Sequence, residues 1–153
     1  MRRHRVRFGR VALCAGLACS VAQGCELQIS AARSGQVLQV LPLGASREVV
    51  LAYRHSVTRT PVLETLALDG AGFVQQRIEF SVPGPGLPTE AQPGERFQRL
   101  ADRFVVDRMQ RRIGVLHMRV DPDQLQTLQA AGTIHPLTRW GAAALRLATH
   151  DCD

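Results

Sequence analysis

The stretch Y-R-H-S-V-T-R-T-P-V-L-E, residues 53–64, decides how the chain is read, because an alternating apolar run leads into it and another leads out. Upstream, Arg47 to His55 alternates, with Val49, Leu51 and Tyr53 on one face and Val50 and Ala52 on the other. Downstream, Val62, Glu64 and Leu66 share a face of a run that ends at Asp69-Gly70. Period-two patterning of this kind marks strands, and Ser56 to Pro61 carries the residues of a turn. The stretch is therefore read as the tip of a β-hairpin. Its expected geometry places His55 opposite Glu64, beside Tyr53, with the Ser56 hydroxyl in the turn.

The pattern continues in both directions. Leu27, Ile29 and Ala31 alternate after Cys25, and Phe73, Gln75 and Arg77 alternate against Val74, Gln76, Ile78 and Phe80. Residues 81–94, S-V-P-G-P-G-L-P-T-E-A-Q-P-G, exclude regular structure through their prolines and glycines. Val82 and Leu87 are the apolar residues that could pin this long loop to a core. Arg96 to Arg112 is ambiguous between helix and strand, Ile113 to Val120 alternates, and Gln124 to Ala131 fits either a short helix or a strand. Thr133 to Leu137 and Ala142 to Thr149 close the chain as strands, joined through Trp140-Gly141. The expected fold is a single mostly β domain over residues 25–150. It is an antiparallel sandwich or partly open barrel, with at most one short helix within 96–131.

The first 24 residues read as a signal peptide. Arg2, Arg3, Arg5, Arg7 and Arg10 form a basic segment, and Val11 to Val21 is apolar but too short to span a membrane. Small residues before Cys25 resemble a lipobox, so a lipid on Cys25 is expected, making the protein an exported, periplasmic, membrane-anchored lipoprotein. The competing reading is ordinary cleavage with a disulfide between Cys25 and Cys152; one sulfur cannot do both. Cys14 and Cys19 lie in the discarded segment.

Charge excludes one function class. The chain has 19 basic and 13 acidic residues and a net charge of +6. The five leading arginines account for nearly all of that excess, and the remainder interleaves both signs. No stripe suited to nucleic acid is left. Lysine and asparagine are both absent. Positions with positive φ are therefore expected at glycine or aspartate. No C-x-x-C pair or clustered histidines suggest a metal, and no cofactor is expected.

Several features together are similar to a known family. His55, Ser56, Val57, Pro61, Val62 and Glu64 give H-S-V-x-x-x-P-V-x-E, and Gly84, Gly86, Leu87 and Pro88 give G-x-G-L-P, after an export signal and before a strand-rich ending. The chain resembles the domain of unknown function 1850 family from about Gly35 to Ala148. Pro85 stands where the family pattern has a small residue. The resemblance implies an exported accessory of solute uptake, associated with tripartite (TRAP) transporters that use TAXI-type receptors. It supplies no reaction.

Two functions follow. One is a binding or scaffolding accessory whose candidate cluster is Tyr53, His55, Ser56, Glu64, Gly84, Gly86, Leu87 and Pro88. The other is a periplasmic hydrolase using His55, Ser56 and Glu64. Adjacency weakens the second, since neighbouring strand residues point to opposite faces. The two are separated by whether a nucleophile, an imidazole and an open pocket converge.

Overall fold

A computed structural model describes residues 24–70 and 72–152, and the expected signal segment lies outside them apart from Gly24. Twelve strands follow one another: β1 (Glu26–Ala31), β2 (Val37–Pro42), β3 (Glu48–Arg54), β4 (Pro61–Asp69), β5 (Gly72–Phe80) and β6 (Arg96–Arg99), then β7 (Phe104–Asp107), β8 (Arg111–Gly114), β9 (Leu116–Val120), β10 (Thr127–Ala130), β11 (Thr133–Pro136) and β12 (Ala143–His150). The ambiguous segment 96–112 resolves into short strands. Among the described residues the helical elements are two 3-10 turns, Pro122–Gln124 and Leu137–Trp140.

The strands form two antiparallel sheets that do not close into a barrel, which decides for the sandwich. The small sheet has the order β2-β1-β12-β9, and the large one β11-β10-β3-β4-β5-β7-β6, with β8 pairing on β5. Alternation explains the main core. Leu27 and Ile29 of β1 and Leu145 and Leu147 of β12 face Val49, Leu51, Leu66, Phe73 and Leu128 of the large sheet, all of them buried. Trp140 packs against the same cluster.

The large sheet extends beyond the small one. Its uncovered inner face builds a second cluster from Val62, Ile78, Phe80, Val106 and Met109. What covers this cluster is not a strand but Leu87, from the middle of the 81–94 loop. Of the two expected anchors only Leu87 is buried; Val82 is 43% exposed.

A bulge in β5 corrects the simple alternation. Thr65 pairs with Arg77 but Leu66 pairs with Gln75, so Gln76 is an extra residue on β5. The extra residue reverses the parity of the strand. Phe73 and Gln75 therefore share the inner face with Ile78 and Phe80, instead of opposing them. The Gln76 carbonyl accepts from the Met109 amide at 3.0 Å.

Of the two exclusive readings of Cys25, the structure contains the disulfide: Cys25 is bonded to Cys152. The register supplies the reason. Glu26 pairs with His150, so the residues just beyond that pair converge, with their Cα atoms 4.4 Å apart. A sulfur held in a disulfide cannot carry a lipid thioether.

The expectation about positive φ is met at several glycines and at Asp151, but Arg59, Arg108, Leu125 and Ala131 adopt it too. Local turn geometry overrides residue preference at these positions.

Candidate functional site

The β3–β4 hairpin sets the site. Its last pair is Arg54 with Pro61, so residues 55–60 form the turn. The His55 amide donates to the Thr60 carbonyl at 2.8 Å, and the Arg59 amide to the His55 carbonyl at 2.9 Å. His55 thus lies beyond the paired strands. Its ring does not reach across to Glu64, as the facing-pair expectation required. The ring folds back over the turn, where Nδ1 accepts from the amides of Val57 and Thr58, each at 3.2 Å.

Two donors on Nδ1 leave the proton on Nε2. That N–H donates to the Pro85 carbonyl at 3.0 Å. Pro85 and Gly86 are the central residues of a turn closed by the Leu87 amide donating to the Gly84 carbonyl at 3.1 Å. Proline at the first central position and glycine with φ of 82° at the second are what a type II turn requires. Pro85, the departure from the family pattern, therefore fits the loop. The loop is close to the hairpin, as expected from its glycines. A Cβ placed on Gly84 would lie 2.7 Å from Cγ2 of Thr58 and 3.2 Å from Cε1 of His55. His55, 7% exposed, acts as a clasp between turn and loop.

Glu64 finds other partners. Leu51, Glu64, Ile78 and Val106 are cross-strand neighbours on the inner face, so the carboxylate sits between the two apolar clusters. The Tyr53 hydroxyl donates to its Oε1 at 2.8 Å, and the Gln75 amide to its Oε2 at 2.7 Å. Burial first, and then the Glu64 charge, push the Tyr53 phenol above its ordinary pKa, so it remains a donor. The bulge makes the second bond possible, because it turns Gln75 to the inner face.

These three side chains form one wall of an open cleft of about 500 Å³. Gly86, Leu87, Pro88, Glu90 and Gln92 from the loop form another wall, and Arg111 of β8 closes an end. Arg111 also ties down the far end of the loop. It makes two parallel bonds to Glu95, at 2.6 and 2.7 Å, and Glu95 Oε2 accepts from the Gln92 amide at 3.0 Å. The Arg111 hydrogen bonds hold the Glu95 carboxyl below its ordinary range, against the opposing effect of burial. The loop is fastened by His55 at one end, Leu87 in the middle and Arg111 at the other.

The arrangement does not assemble a hydrolase triad. Both His55 nitrogens and both Glu64 oxygens are engaged by other groups, and Ser56 is exposed in the turn. Among the described residues no three His, Cys, Asp or Glu side chains come together as a metal would need. Of the candidate cluster, Tyr53, Glu64, Gly86, Leu87 and Pro88 line the cleft, while His55 and Gly84 position the loop. Gln75, Glu90 and Arg111 were missed by sequence reasoning. No signal in the local pattern marked them.

The array predicts its own energetics. Glu64→Ala leaves a phenol and an amide without their acceptor, yet cleft water can replace it. The expected cost is about 1 kcal/mol in urea denaturation.

The model of the family described as Domain of unknown function (DUF1850) matches residues 49–137, which takes in most of β3 and all of β4 to β11. No curated protein and no solved structure matches the chain.

Proposed function

The chain belongs to the DUF1850 family, and from that premise we propose that it is an exported binding module serving a solute-uptake system of the TRAP type. The cleft beneath the 81–94 loop is its recognition site, and it takes a small polar solute or a polar group of a transporter component. The observation that carries this is the Tyr53–Glu64–Gln75 array. A carboxylate with two hydrogen-bond donors occupies a seam between two apolar clusters, where a leucine would join them. Stability alone does not call for such a half-buried array, because an apolar side chain at position 64 would extend the packing of the clusters on either side. Export is supported by the basic and apolar N-terminal segments and by the Cys25–Cys152 disulfide, a bond that persists in oxidising compartments.

The test is capture of the tagged, exported protein from cells, together with the products of its neighbouring genes. Wild type is expected in the periplasmic fraction, oxidised, and carrying a transporter component. Glu64→Leu is expected to melt no lower than wild type and to lose that component. Recovery of wild type with free thiols from the cytoplasm, or an undiminished yield of the component with Glu64→Leu, would refute the reading.

A further inference from the structure

We propose a second site, on the outer face of the large sheet, that binds an aliphatic carboxylate. It is a shallow groove of about 300 Å³ at the tip of the β3–β4 hairpin, and besides residues of the outer face its lining takes in Tyr53 and Val62. Register builds it. Ala52 pairs with Leu63 and Arg54 with Pro61, and all four side chains point away from the inner face that carries Leu51, Tyr53, Val62 and Glu64. Leu125 reaches the groove from the 3-10 turn Pro122–Gln124. The apolar strip is open, with Leu63 at 41% and Leu125 at 57% exposure.

Charge identifies the occupant. Arg54 and Arg59 line the groove, and among the described residues neither takes part in an ion pair. The nearest acid in register is Glu79, opposite Leu63 on β5, and it is already engaged by Arg77 and Arg103. An apolar strip ending at two uncompensated guanidiniums complements a hydrocarbon tail with a carboxylate head, which arginine binds through parallel hydrogen bonds.

Two turns fix residues of the groove. Arg59 has φ of 58° and Leu125 φ of 52°. Residues with side chains adopt this left-handed region at a cost, which the two turns impose here. Leucine at position 125 therefore costs conformational energy and leaves its side chain in water. Filling the groove with a hydrocarbon tail would give that side chain a partner.

Calorimetric titration of the purified, oxidised protein tests the proposal. Decanoate is expected to saturate one site. Octanoate, two methylenes shorter, is expected to bind roughly tenfold more weakly, and acetate and decyltrimethylammonium not measurably. Arg54→Glu with Arg59→Glu should abolish decanoate binding. Leu125→Gly relieves the left-handed strain, so it should melt no lower than wild type while binding decanoate about tenfold more weakly. Three results would each overturn the site: equal binding of decanoate and decyltrimethylammonium, undiminished affinity in either variant, or uptake that does not saturate.

Discussion

Reduction of the Cys25–Cys152 bond should cost the folded protein about 5 kcal/mol, the largest effect of any single covalent change. The two cysteines are 127 residues apart, so the bond closes nearly the whole described chain into one loop. Loop-closure entropy removed from the unfolded state grows with loop length, and for a loop of this size it reaches about 5 kcal/mol. Because the bond acts on the unfolded state, reduced protein stays folded if β1 and β12 hold each other without it. Their six cross-strand pairs and the burial of Leu27, Ile29, Leu145 and Leu147 do hold them. Reduced protein is therefore expected to stay folded at low temperature and to unfold at a much lower urea concentration. Denaturation curves with and without reductant, compared with Cys25→Ser/Cys152→Ser, measure the difference. Coincident curves would show that the bond adds nothing to stability.

Gly84→Val is expected to detach the 81–94 loop, at a cost of about 2–3 kcal/mol. The Cβ alone would meet Cγ2 of Thr58 at 2.7 Å, and Thr58 cannot easily turn aside because its hydroxyl is bonded to that of Thr60 at 2.9 Å. Relief comes from moving the loop. That movement breaks the His55–Pro85 bond and pulls Leu87 from its place over Ile78, Phe80 and Val106, and the energy is mostly the loss of this leucine's burial. Limited proteolysis should then cut within residues 81–95 much faster than in wild type. Gly84→Ala should give an intermediate rate. A Gly84→Val protein cut no faster than wild type would mean that the clasp does not hold the loop.

The sandwich was legible because most strands keep a strict alternation, as in Leu27-Ile29, Val49-Leu51 and Val62-Leu66, and because the 81–94 composition excludes a strand. Three features were not legible. The bulge at Gln76 leaves no mark in residue type: Gln75-Gln76 reads equally well in either parity, and parity decides which glutamine reaches Glu64. The pairing of Glu64 with Tyr53 rather than His55 depends on where the hairpin stops pairing. The faces of 53, 62 and 64 were read correctly, but His55 lies one residue past the final pair and is free to fold over the turn. The choice of the Cys25–Cys152 disulfide over the lipid, two readings the sequence left open, depends on β1 and β12 being neighbours, a relation across the length of the chain that local pattern cannot express.

That neighbour relation also sets the order of assembly. The β3–β4 and β4–β5 hairpins pair residues close in sequence and can form as soon as they are made. The small sheet cannot, because its two central strands are the first and last of the described chain. Half of the main core stays without its cover until β12 arrives, so folding is slow at its final step and the exposed inner face of the large sheet is vulnerable to self-association in the interval. Cys25 spends that whole interval as a free thiol, and its oxidation with Cys152 records that the last strand has docked.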